Sequence, residues 1–476
     1  MEQNTQATTK KKKKFEFPHS FVVVFFMIVF CVILTFVLTP AQYDRVEVNG
    51  QTMVDAESFH YLERKPVNVD TIIDAVGTIF YSIPEGFVDA AALIFMMLFI
   101  GGFVKTYDST GAIRAAITGL TGFLGEKRKS FVLIAIMVFF GCLGAFPGML
   151  EACIPFAPLT IGISIALGYD ALVGIFVTLG GITLGFCAGP TNIWNTGVGN
   201  QLAELPVFSG LGYRLVVFVI FMIVGALYVL YYTNKITKDP KKSPISDLDM
   251  SHLDKLAEYE RTAFTTLHKV VLLAFVATIA VIVYGSLELG WGSLHMAAAY
   301  LVGSIVCAFI CRWSSDTMIE TFLEGMRSIL VGAVAVGVSR ALPLILADGQ
   351  IMDTIIHAIV QPLQGLPETI TAVLMMFVQS LLNFLMPSSS GQAQATLPLF
   401  LPIGDLVGLG RQVTVLAFQF GDSLTNLIYP TYGGLIAFLM FAKIPYNKWV
   451  KFMLPFVLLI TLVAAVLVAL AILIRF

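Results

Sequence analysis

Residues 383–400 read NFLMPSSSGQAQATLPLF, and residues 418–434 read FQFGDSLTNLIYPTYGG. Both are clusters of small polar side chains and helix breakers set in sequence that is otherwise apolar enough for a membrane. Pro387, Gly391, Pro398 and Pro402 interrupt helix, and backbone freed in this way is costly in lipid unless protein or a water-filled cavity satisfies it. Ser388, Ser389, Ser390, Gln392, Gln394, Asp422, Ser423, Thr425 and Asn426 supply the hydroxyl, amide and carboxylate groups that would line such a cavity. The same texture occurs earlier, as AFPGMLEACIPFAP at 145–158 and GFCAGPTNIWNTGVG at 185–199. Polar, helix-broken segments at corresponding places in two halves mark the binding site of a secondary transporter.

The rest of the chain supplies the membrane. Of 476 residues 57% are hydrophobic and 13% charged, against roughly 25% charged in soluble proteins, so the class is an all-α polytopic membrane protein. The charges sit in a few loops without basic stripes, and nucleic acid is not a partner on this reading. All six cysteines lie in apolar segments without CxxC or Cys/His spacing, which leaves neither a disulfide framework nor a zinc site. No Ser/His/Asp set, phosphate-cradling loop or paired metal carboxylates are present, so an intramembrane enzyme has no machinery to point to. An ion channel is the other class to separate, by its lack of saturable exchange.

Five lysines at 10–14 precede an apolar run at 21–38 that is too long for a signal-peptide core and has no small-residue cleavage site after it. It reads as an uncleaved first span with the N-terminus in the cytoplasm, in a first region (1–84) completed by a polar external segment. The first repeat unit (85–232) opens with a span at 87–104 and a surface helix at 111–124. A hairpin near 130–168 and a helix near 171–205, broken around Gly189–Asn192, follow, and a span at 213–232 closes the unit. The hairpin's first arm has about sixteen residues, roughly 24 Å of helix, against a bilayer core of about 30 Å. A re-entrant hairpin fits that length; two short spans joined at Pro147 are the other arrangement. A charged linker (233–269) joins the halves, and two scaffold spans occupy 270–326. The second unit (327–441) repeats the order, with a span at 328–346, a surface helix at 349–363, a hairpin near 370–410 and a broken helix near 413–441. A last span fills 442–476. The count is nine spans and two hairpins, and it places 22 of the 29 Lys and Arg inside, as the positive-inside rule requires.

Residues 100–200 laid over 335–435 match at an offset drifting between 234 and 242. Lys105 falls on Arg340, Gly111 on Gly349, Phe146-Pro147 on Met386-Pro387 and Thr191-Asn192 on Thr425-Asn426. The first unit begins with a span running inward and the second with one running outward, so the repeats are inverted.

Between Lys129 and Glu204 the only charged residues are Glu151 and Asp170, and Asp170 belongs to a cytoplasmic turn. A carboxylate at mid-helix depth costs about 2.5–3.5 kcal/mol on insertion scales and normally faces a partner, a cavity or a proton path. Glu151 is therefore a candidate substrate residue, and Asp422 holds the comparable place in the second half. Ser388, Ser389, Ser390, Gln392 and Asn195 complete the candidate substrate set. Gly189, Thr191 and Asn192, with Ser423, Thr425 and Asn426, offer oxygens suited to sodium, while helix ends there attract a carboxylate. Helix capping is the structural alternative for each Asn, Ser and Thr. Lys105 and Arg340 read as side chains snorkelling at span ends. Coupling falls to sodium or protons, with no other cofactor.

The opening KKKKFEFPHSFVVVFFMIVFCVILTFVLTPAQYDR (11–45), SSSGQAQATLPLFLPIGDLVGLGRQ (388–412) and FQFGDSLTNLIYPTYG (418–433) together resemble the YfcC-like carriers. These are grouped with the DcuC-type C4-dicarboxylate carriers in the ion transporter superfamily, and the resemblance covers nearly the whole chain. It implies an elevator-type fold, a homodimer, and a bacterial inner-membrane transporter of a small-molecule substrate. YfcC-like proteins carry the label of basic amino acid antiporters, whereas the dicarboxylate branch uses Ser-Asn-Thr hairpin tips. This chain departs from those tips at Pro147–Glu151 and Pro387–Gly391. Its acidic first tip points to a small amino acid, cationic ones such as arginine, ornithine and lysine first, with a C4-dicarboxylate as the alternative.

Overall fold

The computed structural model describes residues 20–48, 51–55, 58–64, 66, 68–112, 115, 129–146, 148–206, 209–250, 265–289, 291–363 and 365–476. Pro147, most of the expected surface helix at 111–124 and residues 251–264 of the linker lie outside the described residues. The first half contains α1 (Ser20–Val37), α2 (Val69–Asp89), α3 (Ala91–Ser109) and α4 (Lys129–Ala145). A 3-10 turn at Glu151–Phe156 then leads into α5 (Ala157–Ala166). Helix α6 (Ala171–Ala188) contains a π turn at Phe176–Gly180, and a second π turn at Ile193–Gly197 leads into α7 (Val198–Leu202), followed by α8 (Leu211–Lys238). The second half contains α9 (Thr266–Glu288), α10 (Ser293–Ile310), α11 (Ser315–Asp348), α12 (Met352–Val360), α13 (Glu368–Leu385) and α14 (Ser389–Leu406). Helices α15 (Arg411–Leu424), α16 (Gly433–Phe441) and α17 (Tyr446–Leu473) complete it.

Among the described residues six helices, α3, α6, α8, α10, α13 and α17, are long and apolar enough to cross a bilayer. The described parts of α1 and α9, together with α4 and α5, are shorter apolar helices. The protein is a multi-pass membrane protein built almost wholly of helix.

The segment expected to run as polar chain to residue 84 is more ordered than that reading. Strand β1 (Ala41–Gln42) pairs antiparallel with β4 (His60–Tyr61), and β2 (Arg45–Val48) with β3 (Gln51–Val54). Arg45 and Tyr43 tie this module to α12: Arg45 Nη2 lies 2.9 Å from Asp353 Oδ1, and the Tyr43 amide donates to Asp353 Oδ2 at 3.0 Å. Asn68 then starts α2 with a reciprocal capping box to Thr71, each satisfying the other's amide. Because α2 runs to Asp89, the next span begins at Ala91 rather than at 87.

Two groups of helices pack against each other. In one, α3 and α11 lie along one another with α2, α10 and α1 beside them; in the other, α4 packs on α6, α13 on α15, and α6 on α15. The α3–α11 seam is reciprocal. Lys105 Nζ on α3 meets Glu324 Oε1 on α11 at 2.8 Å, and Arg340 Nε on α11 meets Asp89 Oδ2, just before α3, at 2.9 Å. Each residue of one pair stands 235 positions from its counterpart in the other. The same spacing relates Gly102, facing the Phe322 ring, to Gly337, facing the Phe87 ring. Pairing early positions of one helix with late positions of the other makes the two run antiparallel. Lys105 and Arg340, expected to snorkel, are thus cross-helix partners of acids.

The second group closes its seams with glycine. A Cβ on Gly185 of α6 would lie 1.9 Å from the Gly141 carbonyl oxygen of α4, and one on Gly421 of α15 would lie 2.4 Å from the Met376 carbonyl oxygen of α13. Such contact brings the first arm of each hairpin against the backbone of its own broken helix, which sets where the breaks meet.

Candidate substrate site at the two helix breaks

A cavity of about 290 Å³ lies between the two groups. Gly148–Glu151 and Trp194 line it from the first half, Pro387–Ser390, Asn426 and Thr431–Gly434 from the second, and Leu93, Trp291, Met296, Val336 and Arg340 from the α3, α10 and α11 side. Pro387 and Gly189 stand where helices end, so polar groups reach the cavity at the depth of apolar helices, whereas Gly391, Pro398 and Pro402, expected to interrupt helix, lie inside α14, which runs unbroken through them.

Glu151 opens the 3-10 turn and is partly exposed to this cavity. Its Oε1 accepts from Tyr432 Oη at 3.4 Å, and among the described residues no Lys or Arg forms an ion pair with it. Arg340 lines the same cavity but is already held by Asp89. Opposite Glu151, Ser388, Ser389 and Ser390 form the start of α14, and Ser388 spends no side-chain bond on capping it. The positive end of an eighteen-residue helix is thus presented to the cavity with its first hydroxyls.

Asp422 sits behind this wall rather than on it. It is 1% exposed, and its Oδ2 accepts from Ser389 Oγ at 2.6 Å, Asn195 Nδ2 at 3.2 Å and Ser423 Oγ at 3.3 Å. Asn195 Nδ2 also donates to Ser423 Oγ at 3.0 Å, which joins the second π turn of the first half to the break of the second. Gln392 points away from the cavity: its Nε2 donates to Gln379 Oε1 at 2.7 Å and to the Gln379 carbonyl at 2.8 Å.

The residues read as sodium ligands are engaged in bonds that close the breaks. Asn383 Nδ2 donates to Thr425 Oγ1 at 2.8 Å and to Asn426 Oδ1 at 2.9 Å. Asn192 Oδ1 accepts from the Trp194 amide at 3.0 Å, its Nδ2 donates to the Phe186 carbonyl at 3.3 Å, and Thr191 Oγ1 donates to the Phe146 carbonyl at 3.2 Å. Gly189 turns left-handed at φ 48°, and its carbonyl accepts from Thr196 Oγ1. Gln419 Nε2 reaches Thr196 Oγ1 at 2.6 Å while Gln419 Oε1 accepts from Arg214 Nε at 3.0 Å. Arg214, at the start of the span read at 213–232, is fully buried at the head of α8 and also donates to Gln412 Oε1 at 2.7 Å.

Several of these residues escaped the sequence reading. Asn383, Gln379 and Gln419 are single amides in apolar helices, and that isolation was the available signal. Tyr432 lay inside the quoted second stretch but carried no charge to mark it.

The profile of the C4-dicarboxylate anaerobic carrier family matches residues 17–473. The chain belongs to that family. It is 30% identical to the Escherichia coli (strain K12) protein named "Putative basic amino acid antiporter YfcC", over 93% of this chain and 94% of that one. It is 25% identical to a protein of Haemophilus influenzae (strain ATCC 51907 / DSM 11121 / KW20 / Rd), over 96% of this chain and 97% of the other. Among solved structures it is similar to MtrF of Neisseria gonorrhoeae, at TM-score 0.47 and 17% identity over 96% of this chain and 95% of that one. It is also similar to the YdaH transporter of Alcanivorax borkumensis, at TM-score 0.44 and 16% identity over 96% and 98%. Family membership makes the protein a membrane carrier.

Proposed function

We propose that this carrier is an elevator-type secondary transporter, symporter or antiporter, of small amino acids, with arginine, ornithine and lysine first. The observation that carries the reading is Glu151 on the cavity wall with a phenol at 3.4 Å and, among the described residues, no ion pair, since Arg340 on the same wall is held by Asp89. A carboxylate held away from bulk water with so little compensation favours an arriving cation. The substrate's ammonium or guanidinium would meet Glu151, and its carboxylate would meet Ser388–Ser390 at the positive end of α14. The name of the Escherichia coli relative agrees with this class.

The motion follows from two inverted repeats, each with a re-entrant hairpin and a broken helix. Support for the inversion is the antiparallel α3–α11 seam, whose two ion pairs exchange roles at a constant spacing. The cavity lies at the boundary between helix groups, so the hairpins, the broken helices and their neighbours can carry substrate past α3, α10 and α11. The fixed group would form a homodimer through plain apolar spans such as 270–312, which mass measurement in nanodiscs checks. The reading places the protein in a bacterial inner membrane with its N-terminus in the cytoplasm, driven by protons or sodium. Arg340 on the wall and the family's description favour a second reading, a C4-dicarboxylate carrier.

Counterflow in proteoliposomes decides between them. Labelled arginine or lysine should exchange with unlabelled cationic amino acids and not with succinate; exchange of succinate alone would establish the second reading.

A further inference from the structure

The geometry points to Asp422 as the residue that carries a coupling proton, shared with the Asn195 amide. Asp422 Oδ2 has three donors, whereas Oδ1 is buried and has none. Asn195 shows the complementary defect: its Nδ2 donates to Asp422 Oδ2, and its Oδ1 is buried without a donor. Buried acceptors are normally satisfied, and two bare oxygens on touching side chains call for one explanation. A carboxylic acid and a primary amide close a ring through two hydrogen bonds, amide N–H to one acid oxygen and acid O–H to the amide oxygen. Here the first bond is in place, and the two bare oxygens are the atoms that the second would join. A proton taken from the aqueous phase and bonded to Oδ1 would make that bond, cancel the buried charge and satisfy both oxygens at once.

Among the described residues, nothing around Asp422 does this work instead. The titratable groups facing Asp422 are Cys187 on α6, Tyr432 beyond the α15 break and Glu151 at the first break. None of them brings positive charge. Ser389 links the proton to the substrate site, because its hydroxyl donates to Asp422 while the same first turn of α14 lines the cavity. Loss of the proton leaves an anion that draws harder on Ser389, and gain of it weakens that hold. The occupancy of Oδ1 therefore sets how the second tip presents its hydroxyls, independently of which substrate enters. The proposal rests on the transporter reading of the cavity but not on the choice between cationic amino acids and dicarboxylates.

The test is an infrared pH titration of the purified full-length protein in liposomes without substrate. The wild type should show a carboxylic-acid C=O stretching band that disappears as pH rises; Asp422→Asn should lack it, and Glu151→Gln should keep it. Asn195→Ala should shift the frequency of that band by removing the ring partner. Should Asp422→Asn fail to fold, Asn195→Ala and Ser389→Ala read the same band, and Ser389→Ala should move its midpoint to higher pH because the anion loses a donor. In transport, accumulation driven by a pH gradient should be lost in Asp422→Asn. A band unchanged by all three substitutions would overturn the proposal, as would wild-type accumulation that follows a sodium gradient and ignores pH. Failure of arginine counterflow alongside a titrating Asp422 band would remove the substrate assignment and leave the proton site standing.

Discussion

At the first break Glu151 stands on a cavity wall with one phenol 3.4 Å away, whereas at the second break Asp422 is sealed and receives three donors on one oxygen. The two acids occupy different places: Glu151 follows the turn between α4 and α5, whereas Asp422 lies near the end of α15. They differ also in what they face: Glu151 shares its cavity with α3, α10 and α11, and Asp422 turns inward to the π turn carrying Asn195. The lesson is that two acids at neighbouring helix breaks can be set in opposite surroundings, one on a cavity wall and the other closed off behind it. The largest expected effect tests that contrast directly. Glu151→Gln keeps the shape and removes the charge; losing one partner of a desolvated charge pair costs about 2–5 kcal/mol, so cationic amino acids should bind roughly 30-fold to more than 1,000-fold more weakly. Isothermal titration with arginine measures it, and wild-type affinity in Glu151→Gln would reduce the open acid to a structural one.

A second contrast concerns how firmly each hairpin is fixed to its broken helix. At Gly185 an added Cβ meets backbone oxygen at 1.9 Å, and at Gly421 at 2.4 Å. Neither contact can be relieved by rotating a side chain, and overpacking of this kind costs about 1–3 kcal/mol or more. Gly185→Ala should therefore lower the thermal unfolding midpoint in detergent more than Gly421→Ala does. Equal or negligible shifts would mean that the two seams are looser than their backbones indicate.

Much of this arrangement was legible in the chain because its causes are local. Pro387 and Gly189 mark helix ends, although Pro398 and Pro402 do not, and Glu151 stood out as one of two charges between Lys129 and Glu204. What the sequence left open depends on distant partners. Whether Glu151 or Asp422 faces the cavity is decided by which tip meets α3 and α11, and no local pattern encodes that. Arg214 looks like a span-end charge until Gln412 and Gln419, about 200 positions away, enclose it. Helix α2 was hidden for another reason: Ile72, Ile73, Val76 and Phe80 alternate with Asp70, Asp74 and Glu85, which on composition alone reads as polar chain.

The reciprocal ion pairs offer a finer test of the likeness between halves. Lys105–Glu324 and Arg340–Asp89 are each a third or more exposed, so a double-mutant cycle to alanine on either should give about 0.2–1 kcal/mol. If the seam is two-fold, the two coupling energies should agree within the error of the thermal measurement. A strong coupling for Arg340–Asp89 alone would show that the cavity side of the seam differs from the other.

The smallest effect belongs to a carboxylate outside both breaks, which serves as the reference for the other two. Asp247, in the stretch after α8, takes both oxygens to Lys448 Nζ at 2.6 Å at the head of α17. The Lys448 hydrogen bond holds its carboxyl below the ordinary carboxylate value. A folded value lower than the unfolded one gives stabilisation that is present above the ordinary carboxylate pKa of about 3.9 and disappears as pH falls through the folded value. Asp247→Asn should thus lower the unfolding temperature slightly at neutral pH and match the wild type in acid. Because the pair lies in water, added salt should shrink the neutral-pH difference as the screening length falls to about 3 Å at 1 M. Glu151 and Asp422 interact across protein rather than solvent, so the effects of their substitutions should persist in the same salt. A salt-insensitive Asp247 would remove the reference, and salt-sensitive Glu151 or Asp422 variants would mean that bulk water reaches the breaks.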